Sequence, residues 1–450
     1  DLHENALKAA TAKGSETTPY NLSNNTGGNT VENTANCYVV NAPGYYSLPL
    51  VYGNAIKNSA TNASAYTSTV TGTNILNPFI NHAGNGITDP YISGNGCTPA
   101  KAELVWQDAM NLVTDIKYNA DSNGGNISFK VDRSSIRQGN AVIAIKDVSD
   151  AILWSWHVWV TDEDINNVIE ITNHQNVKYN FMPVNLGQCD GNTITYEERS
   201  CKVKFIAGDQ SKEITIKQLA NVIATGSNAP FYQWGRKDPL YPSNGMGNTT
   251  KIWYDKEGIP STANPMKGTF SAGNDCIKNC ILNPNLMHNR YNGDYTYYNL
   301  WSADNKTTSA NDNPVNKTIY DPCPVGFKLP ASNAFTGFTT TGESVSSSTQ
   351  VNGTWSSSEK GWYFYTNSEK TQSIFFPALG YRSYSTMRPG SIGTQGCFWS
   401  AHPVAKGNNY YLRTSSVDVQ PTYMVDRGFG YALRPCRLKG CNKNKELLTN

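Results

Sequence analysis

The sequence predicts a mostly β protein with some α+β character, and two observations support that prediction. Short runs of valine, isoleucine, tyrosine and tryptophan alternate with glycine, asparagine and proline along most of the 450 residues, which is typical of strands joined by turns. Helical periodicity is scarce outside residues 2–12. Aromatic residues make up 11 % of the chain and charged residues only 16 %, which excludes a disordered chain, a coiled coil and an ionic helical bundle.

The first strands predict a small antiparallel β-sandwich over residues 35–165. Before it, residues 1–34 are polar and rich in asparagine, threonine and glycine, and we expect a leader or linker there. In the last strand, Trp154 and Trp156 face one side, and the turn at 147–150 joins this strand to the preceding one as a hairpin. The candidate strands are 37–40, 48–52, 103–107, 127–131, 142–146 and 152–160.

A larger second unit is predicted over residues 175–438, followed by a polar tail at 439–450. It contains a β-hairpin insertion near 189–220, in which alternating apolar residues flank a Gly-Asp-Gln-Ser turn. From residue 231 the chain is rich in tryptophan, tyrosine and glycine and has long irregular stretches. Long loops in a compact domain usually carry function, so we expect a binding role for this unit.

Charge and hydropathy exclude two classes of partner. The formal net charge is only +2, which gives no long-range field to attract a polyanion, so no nucleic-acid partner is expected. No run of about 18 apolar residues occurs, so no direct membrane insertion is expected.

The motifs of common catalytic and cofactor sites are absent. GxSxG, HExxH, the Walker A pattern and GxGxxG do not occur, and the six histidines are scattered singly. We therefore predict no catalytic residue, no metal ligand and no cofactor. His157, between two tryptophans, is expected to be packed, whereas His402 is the one histidine that we consider a binding candidate.

The spacing of the ten cysteines favours disulfide bonds and an extracytoplasmic location. No CxxC and no zinc-finger quartet occurs, which removes the commonest intracellular uses of so many thiols. Local bridges are predicted between Cys189 and Cys201 and between Cys276 and Cys280.

Several segments, taken in order, resemble surface proteins that carry the major paralogous domain called FISUMP. They include ANCYVVNAPGYYSLPLVYGN (35–54), ILWSWHVWVTD (152–162), FYQWGRKDP (231–239), DPCPVGFKLP (321–330) and RGFGYALRPCR (427–437). The resemblance covers residues 35–438, which is nearly the whole chain.

The resemblance implies an Ig-like β-sandwich followed by a C-type-lectin-like α+β domain. It also implies a non-enzymatic, extracellular adhesin of the fimbrial or pilus-tip type, which binds a glycan or protein ligand on another cell and contacts other pilin subunits if it is a tip. The resemblance implies a bridge between the positions of Cys323 and Cys436. Cys37, Cys97, Cys397 and Cys441 then remain with their connectivity open, and we favour Cys37 with Cys97 and Cys397 with Cys441. The segment Gln420-Pro421-Thr422 lacks the carboxylate of a calcium-dependent sugar site, so no such site is expected.

Residues 401–426 mix polar and aromatic side chains without a helical period, as antibody paratopes do. This stretch also resembles the variable region of proteins that retroelements diversify, which implies a diversified binding face. A solvated loop is the alternative for each single residue, and a secreted enzyme or carbohydrate-binding module of formylglycine-generating-enzyme-like fold is the alternative function. The candidate ligand-binding residues are His402, Lys406, Asn408, Tyr410, Arg413, Ser415, Asp418, Gln420, Tyr423 and Asp426.

Overall fold

A computed structural model describes residues 2–191, 193–224, 227–241, 251–288, 297–405 and 407–438. Strands account for 37 % of the structure and helices for 8 %, so the predicted mostly β class is confirmed. The α-helices are α1 Leu2–Ala9 and α2 Asn274–Leu282, and the 3-10 helices are Ala63–Ala65, Ser93–Asn95, Ser332–Phe338 and Ser348–Gln350. No helix among the described residues is both long and apolar enough to span a bilayer.

The strands are short and fall in three stretches of the chain. The first stretch has β1 Tyr20–Asn21, β2 Cys37–Val40, β3 Gly44–Pro49, β4 Ile56–Lys57, β5 Ala60–Thr61, β6 Lys101–Gln107, β7 Thr114–Asn119, β8 Asn126–Val131, β9 Gly139–Lys146 and β10 Ile152–Val160. The second has β11 Ile169–Thr172, β12 Lys178–Phe181, β13 Thr193–Tyr196, β14 Arg199–Ala207, β15 Gln210–Gln218, β16 Asn221–Ala224, β17 Tyr232–Gln233, β18 Trp253–Tyr254, β19 Pro260–Ser261, β20 Met266–Gly268 and β21 Leu286–His288. The third has β22 Phe327–Lys328, β23 Gly353–Ser356, β24 Gly361–Tyr365, β25 Ser373–Pro377, β26 Tyr381–Arg382, β27 Pro389–Gly390, β28 Gly396–Pro403, β29 Asn408–Thr414, β30 Val419–Asp426, β31 Gly430–Tyr431 and β32 Cys436–Arg437.

Two sheets organise the first part of the chain, and β18 and β19 from the second stretch extend one of them. One has the order β1-β3-β8-β7 and the other β19-β18-β6-β9-β10-β2. The predicted strands are confirmed within a few residues, except that the strand expected at 48–52 is β3 and ends at Pro49, whose missing N–H cannot extend the ladder. The sheets are not purely antiparallel, because β2 pairs with β10 and β1 pairs with β3 in parallel.

Residues 2–34 are not a detached leader, contrary to the sequence expectation. Leu7 of α1 is fully buried in the main hydrophobic core. Tyr20 and Asn21 form β1, which adds to the edge of the four-stranded sheet. Asparagine side chains close turns within this segment: Asn21 Oδ1 accepts the Ser23 N–H, and Asn24 Oδ1 accepts the N–H groups of Thr26 and Gly28.

The predicted hairpin is confirmed as β14 and β15, which pair only with each other. Val203 lies opposite Ile214 and Cys201 lies opposite Ile216, so apolar side chains share one face. Nearly every residue of both strands is exposed to solvent.

The later part of the chain consists of small sheets around a second, aromatic core. Sheets of order β11-β12-β32-β22, β23-β24-β25 and β28-β29-β30 supply most of its side chains. Phe338 and Phe364 stack there with ring centroids 3.9 Å apart. The segment 339–354 is rich in serine and threonine, and its helices and strands are limited to a 3-10 turn and the beginning of β23.

Three of the predicted disulfide bonds, Cys189–Cys201, Cys323–Cys436 and Cys37–Cys97, are absent. Cys201 is an exposed thiol on β14, whereas Cys189 is a thiol buried with its Sγ 3.6 Å from Asn140 Nδ2. Cys323 and Cys436 are both buried thiols whose side chains pack into different hydrophobic clusters, so each is held by its own core rather than by a bond to the other.

The remaining cysteine pairings have mixed outcomes. Cys37 and Cys97 are thiols as well, and so is Cys397. Cys441, its predicted partner, lies outside the described residues. Cys276 and Cys280 lie one turn apart on α2, both buried, and a bridge between them stays a prediction.

Candidate ligand-binding face

The predicted binding segment folds as the three-stranded antiparallel sheet β28-β29-β30 rather than as a surface loop. The first strand, β28, is buried along its whole length, which anchors the sheet in the protein. A tight turn at 415–418 joins β29 to β30, with the Ser415 N–H donating to the Asp418 carbonyl at 2.8 Å. The outer strand β30 is therefore presented on a rigid support.

One face of the sheet brings together the side chains of Tyr411, Arg413, Gln420 and Tyr423. Tyr411 lies opposite Tyr423 in the register, and their ring centroids are 5.8 Å apart in an edge-to-face arrangement. The guanidinium carbon of Arg413 lies 5.9 Å from the Tyr423 ring centroid. Arg413 Nη1 also donates to Gln420 Oε1 at 2.9 Å, so its orientation is fixed from two sides.

Buried aromatic rings support this face from below. The ring centroids of Trp399 and Tyr431 are 4.4 Å apart, and those of Tyr411 and Tyr431 are 4.6 Å apart. Burial raises the pKa of the Tyr411 and Tyr431 hydroxyls, which therefore stay neutral at physiological pH. Outside this packed layer, Tyr423 remains 44 % exposed.

The turn end of the same face carries charge. Asp418 Oδ2 lies 3.9 Å from Arg413 Nη1, and Ser415 Oγ donates to Asp418 Oδ2 at 3.2 Å. Five of the ten predicted residues, Arg413, Ser415, Asp418, Gln420 and Tyr423, are thus brought together. They combine a flat aromatic ring, a guanidinium group, an amide and a carboxylate within one surface.

Three other predicted residues lie elsewhere on the sheet. Asn408 pairs with Asp426, and Tyr410 pairs with Met424, at the end far from the turn. The Tyr410 hydroxyl donates to the Thr308 carbonyl at 3.1 Å, and Asp426 Oδ1 accepts the Gly428 N–H at 2.7 Å. These contacts stabilise the fold at the end of β29 and β30 that lies away from the 415–418 turn.

His402 is not a surface residue, contrary to the sequence prediction. It lies in β28 with no exposed surface, and its Nδ1 accepts the Ser332 N–H at 3.3 Å. Burial lowers the pKa of His402 to about 4. The prediction failed because a strand covered on both sides buries even its polar residues. Lys406, the remaining candidate, lies outside the described residues.

Sequence reasoning missed two exposed apolar side chains on this part of the sheet. Met424 is 51 % exposed on β30, and Val417 is 51 % exposed in the turn. Strand alternation from the buried Val419 and Pro421 would place Tyr423 on the buried side as well. The register irregularity between Tyr411 and Arg413 breaks this alternation, so no local pattern could have placed the exposed residues of β30.

The two carboxylates of the predicted set cannot ligate one cation together. Asp418 precedes β30 and Asp426 ends it, so eight residues of extended chain, roughly 26 Å, separate them. The surface is therefore suited to stacking and hydrogen bonding by its own side chains.

Comparisons of the chain with models of protein families, with curated proteins and with solved structures each find no match. Any functional assignment therefore depends on the residues of the chain itself.

Proposed function

We propose that this protein is a non-enzymatic surface adhesin that binds its ligand through the face formed by Arg413, Ser415, Asp418, Gln420 and Tyr423. The observation that supports it best is the half-exposed Tyr423 ring, which Arg413 and Tyr411 hold on a sheet whose innermost strand is fully buried. A pre-oriented aromatic ring binds at little entropic cost, because it has little freedom left to lose.

The ligand is a glycan or a protein on another cell surface. A sugar ring offers an apolar face for stacking on Tyr423, and its hydroxyls suit the guanidinium and amide groups beside it. Such a single site is weak, and display of many copies on a fimbria would raise the effective affinity. If the protein is a tip, other pilin subunits are its second partners, through strand addition.

The proposed architecture is an Ig-like sandwich followed by a C-type-lectin-like domain, exposed outside the cell. The packed four- and six-stranded sheets of the first part and the small sheets of the second are compatible with it. In such domains few regular elements hold the binding residues, and here β29, the 415–418 turn and β30 carry them beside the buried strand β28.

Two features favour binding over the thiol chemistry of the alternative enzyme. Cys397 and Cys436 are buried, and burial raises the pKa of each thiol to about 12. A thiol must ionise and meet its substrate to react, so both cysteines are poor candidates for redox catalysis.

The test is an array of glycans and host extracellular-matrix proteins probed with the full chain, followed by affinity measurements on the strongest ligand. We expect Tyr423→Ala to weaken binding about tenfold or more, as loss of an aromatic anchor does. Tyr196→Ala is the matched control, because Tyr196 is 43 % exposed and lies outside the face. Equal effects of the two substitutions would contradict the proposed face, and chemical conversion of the ligand would contradict the proposed function.

A further inference from the structure

Four ionisable side chains meet where α1 packs against the end of β10. His3 comes from α1, Asp162 and Glu163 follow β10, and Asp190 follows the 185–189 turn. The ligating atoms of His3, Glu163 and Asp190 all lie within 4.8 Å of one another. Three distant segments of the chain thus supply an imidazole and two carboxylates to one point.

The groups around this point hold the ligating atoms in place. Asp162 Oδ2 accepts from His3 Nδ1 at 2.9 Å, which directs the other nitrogen, Nε2, towards Asp190 Oδ2 at 3.3 Å. Gln188 Nε2 donates to Asp190 Oδ1 at 3.1 Å, so Oδ2 is the oxygen turned to His3. A carboxylate on the far nitrogen of a histidine is the arrangement that fixes metal-bound imidazoles in proteins.

The side chains that meet at this point carry a net negative charge. Three carboxylates surround one imidazole, which carries at most one positive charge, and no lysine or arginine of the described residues forms an ion pair with them. A divalent cation would neutralise this excess.

We propose that His3 Nε2, Glu163 and Asp190 bind one divalent transition-metal ion, with Zn²⁺ as the reference ion and Asp162 as the residue that orients His3. The imidazole favours zinc and its neighbours over Ca²⁺ and Mg²⁺, which prefer all-oxygen sites. Three protein ligands leave a fourth position for water or for a group of a bound partner. The bound ion links α1 to the end of β10. The competing explanation for this cluster is a metal-free ion pair between protonated His3 and the two aspartates, Asp162 and Asp190.

The site can be tested on the full chain by calorimetric titration with ZnCl₂ after chelator treatment. The Cys201→Ser background removes the exposed thiol that would otherwise compete for zinc. We expect one equivalent to bind, and Co²⁺ to give d–d absorption without a sulfur-to-cobalt charge-transfer band. A charge-transfer band, or no binding, would overturn the proposal.

Substitutions distinguish ligands from the orienting residue. His3→Gln, Glu163→Gln and Asp190→Asn should abolish the one-equivalent heat, whereas Asp162→Asn should weaken affinity by about 10- to 100-fold. His174→Gln is the control, since that imidazole belongs to an exposed residue.

Thermal unfolding of each variant without metal checks that the fold is retained. Zinc should raise the unfolding temperature of the parent protein but not that of His3→Gln. Zinc binding that survives His3→Gln would overturn the assignment.

Discussion

At the scale of single residues, Asn140 is the junction of a buried polar network. Its Nδ2 donates to Asp108 Oδ2 at 3.0 Å and to the Gly187 carbonyl at 2.8 Å, while its Oδ1 accepts from His157 Nε2 at 2.7 Å. Because an amide oxygen only accepts, Nε2 of His157 carries the proton. His157 Nδ1 is then the acceptor for the Tyr232 hydroxyl at 3.4 Å, so this network requires a neutral imidazole.

This requirement makes stability sensitive to acid. Burial lowers the pKa of His157 to about 3 and that of His402 to about 4. In the unfolded chain a histidine has a pKa of about 6.5. Below that pH the unfolded state binds more protons than the folded state, so the free energy of unfolding falls as the pH drops from about 7 towards 4. His402 alone should account for about 3 kcal/mol of that fall.

Denaturant unfolding measured between pH 7 and 4 checks this prediction. We expect His402→Gln to flatten the dependence of the unfolding free energy on pH. The exposed His174, replaced by Gln, should leave the dependence unchanged. A parent-like slope in His402→Gln would show that the buried imidazole does not control acid stability.

The candidate face could be predicted in part at this scale. Polar and aromatic composition identified the stretch, and five of its residues do meet. Their separation from Asn408, Tyr410 and Asp426 could not be predicted, because register irregularities between Trp399 and Pro403 and between Tyr411 and Arg413 alter the alternation of sides. Such irregularities depend on packing against neighbouring strands, which no local pattern records.

At the scale of elements, the hairpin of β14 and β15 is an amphipathic arm without packing partners among the described sheets. Its apolar face includes Phe205 and Ile216, which are 58 % and 54 % exposed. Its opposite face carries cross-strand ion pairs such as Lys202 with Glu213 at 2.9 Å. Exposed pairs of this kind contribute little, so the arm adds little to the stability of the whole.

Two phenylalanine substitutions test this conclusion. Phe205→Ala should change the unfolding free energy by no more than about 0.5 kcal/mol, as surface substitutions do. Phe364→Ala should lower it by about 3–5 kcal/mol, because that ring is fully buried and stacks on Phe338. Urea denaturation measures both, and a large loss in Phe205→Ala would show that the arm packs on the protein.

The elements themselves were largely predictable, whereas their order in the sheets was not. Alternation and turn residues located β2, β10 and the hairpin, because these signals are local. The addition of β18 and β19 to β6 joins residues about 150 positions apart in the chain, and it depends on burial that only the folded protein supplies.

At the scale of the whole molecule, the two predicted units share one hydrophobic core. Asn36 Nδ2 donates to the carbonyls of Ile319 and Asp321 at 2.6 and 2.8 Å, and Asn36 Oδ1 accepts from Trp154 Nε1 at 3.0 Å. Tyr320 stacks on Phe79, with ring centroids 5.0 Å apart. The later segment thus completes the packing of the earlier sandwich.

A buried ion pair lies at the same junction. Lys237 Nζ lies 2.8 Å from Asp238 Oδ2, and both side chains are almost fully buried. Ser155 of β10 donates to Asp238 Oδ1 and accepts from Lys237, at 2.8 and 2.7 Å. A buried pair needs such added hydrogen bonds, so the second unit can satisfy these charges only against the first.

The shared core predicts that the chain unfolds as one unit. Tryptophan fluorescence and far-UV circular dichroism should give coincident denaturation curves, because residues of both units surround the same tryptophans. Residues 1–165 expressed alone should lack a cooperative transition, since Trp154 and Phe79 lose the cover of Tyr320. Co-expression with residues 166–450 should restore the cooperative transition, which would show that residues 1–165 alone lack only the packing supplied by the second segment. A cooperative transition in the 1–165 fragment would show instead that the sandwich folds independently and that the shared packing is only an interface between domains.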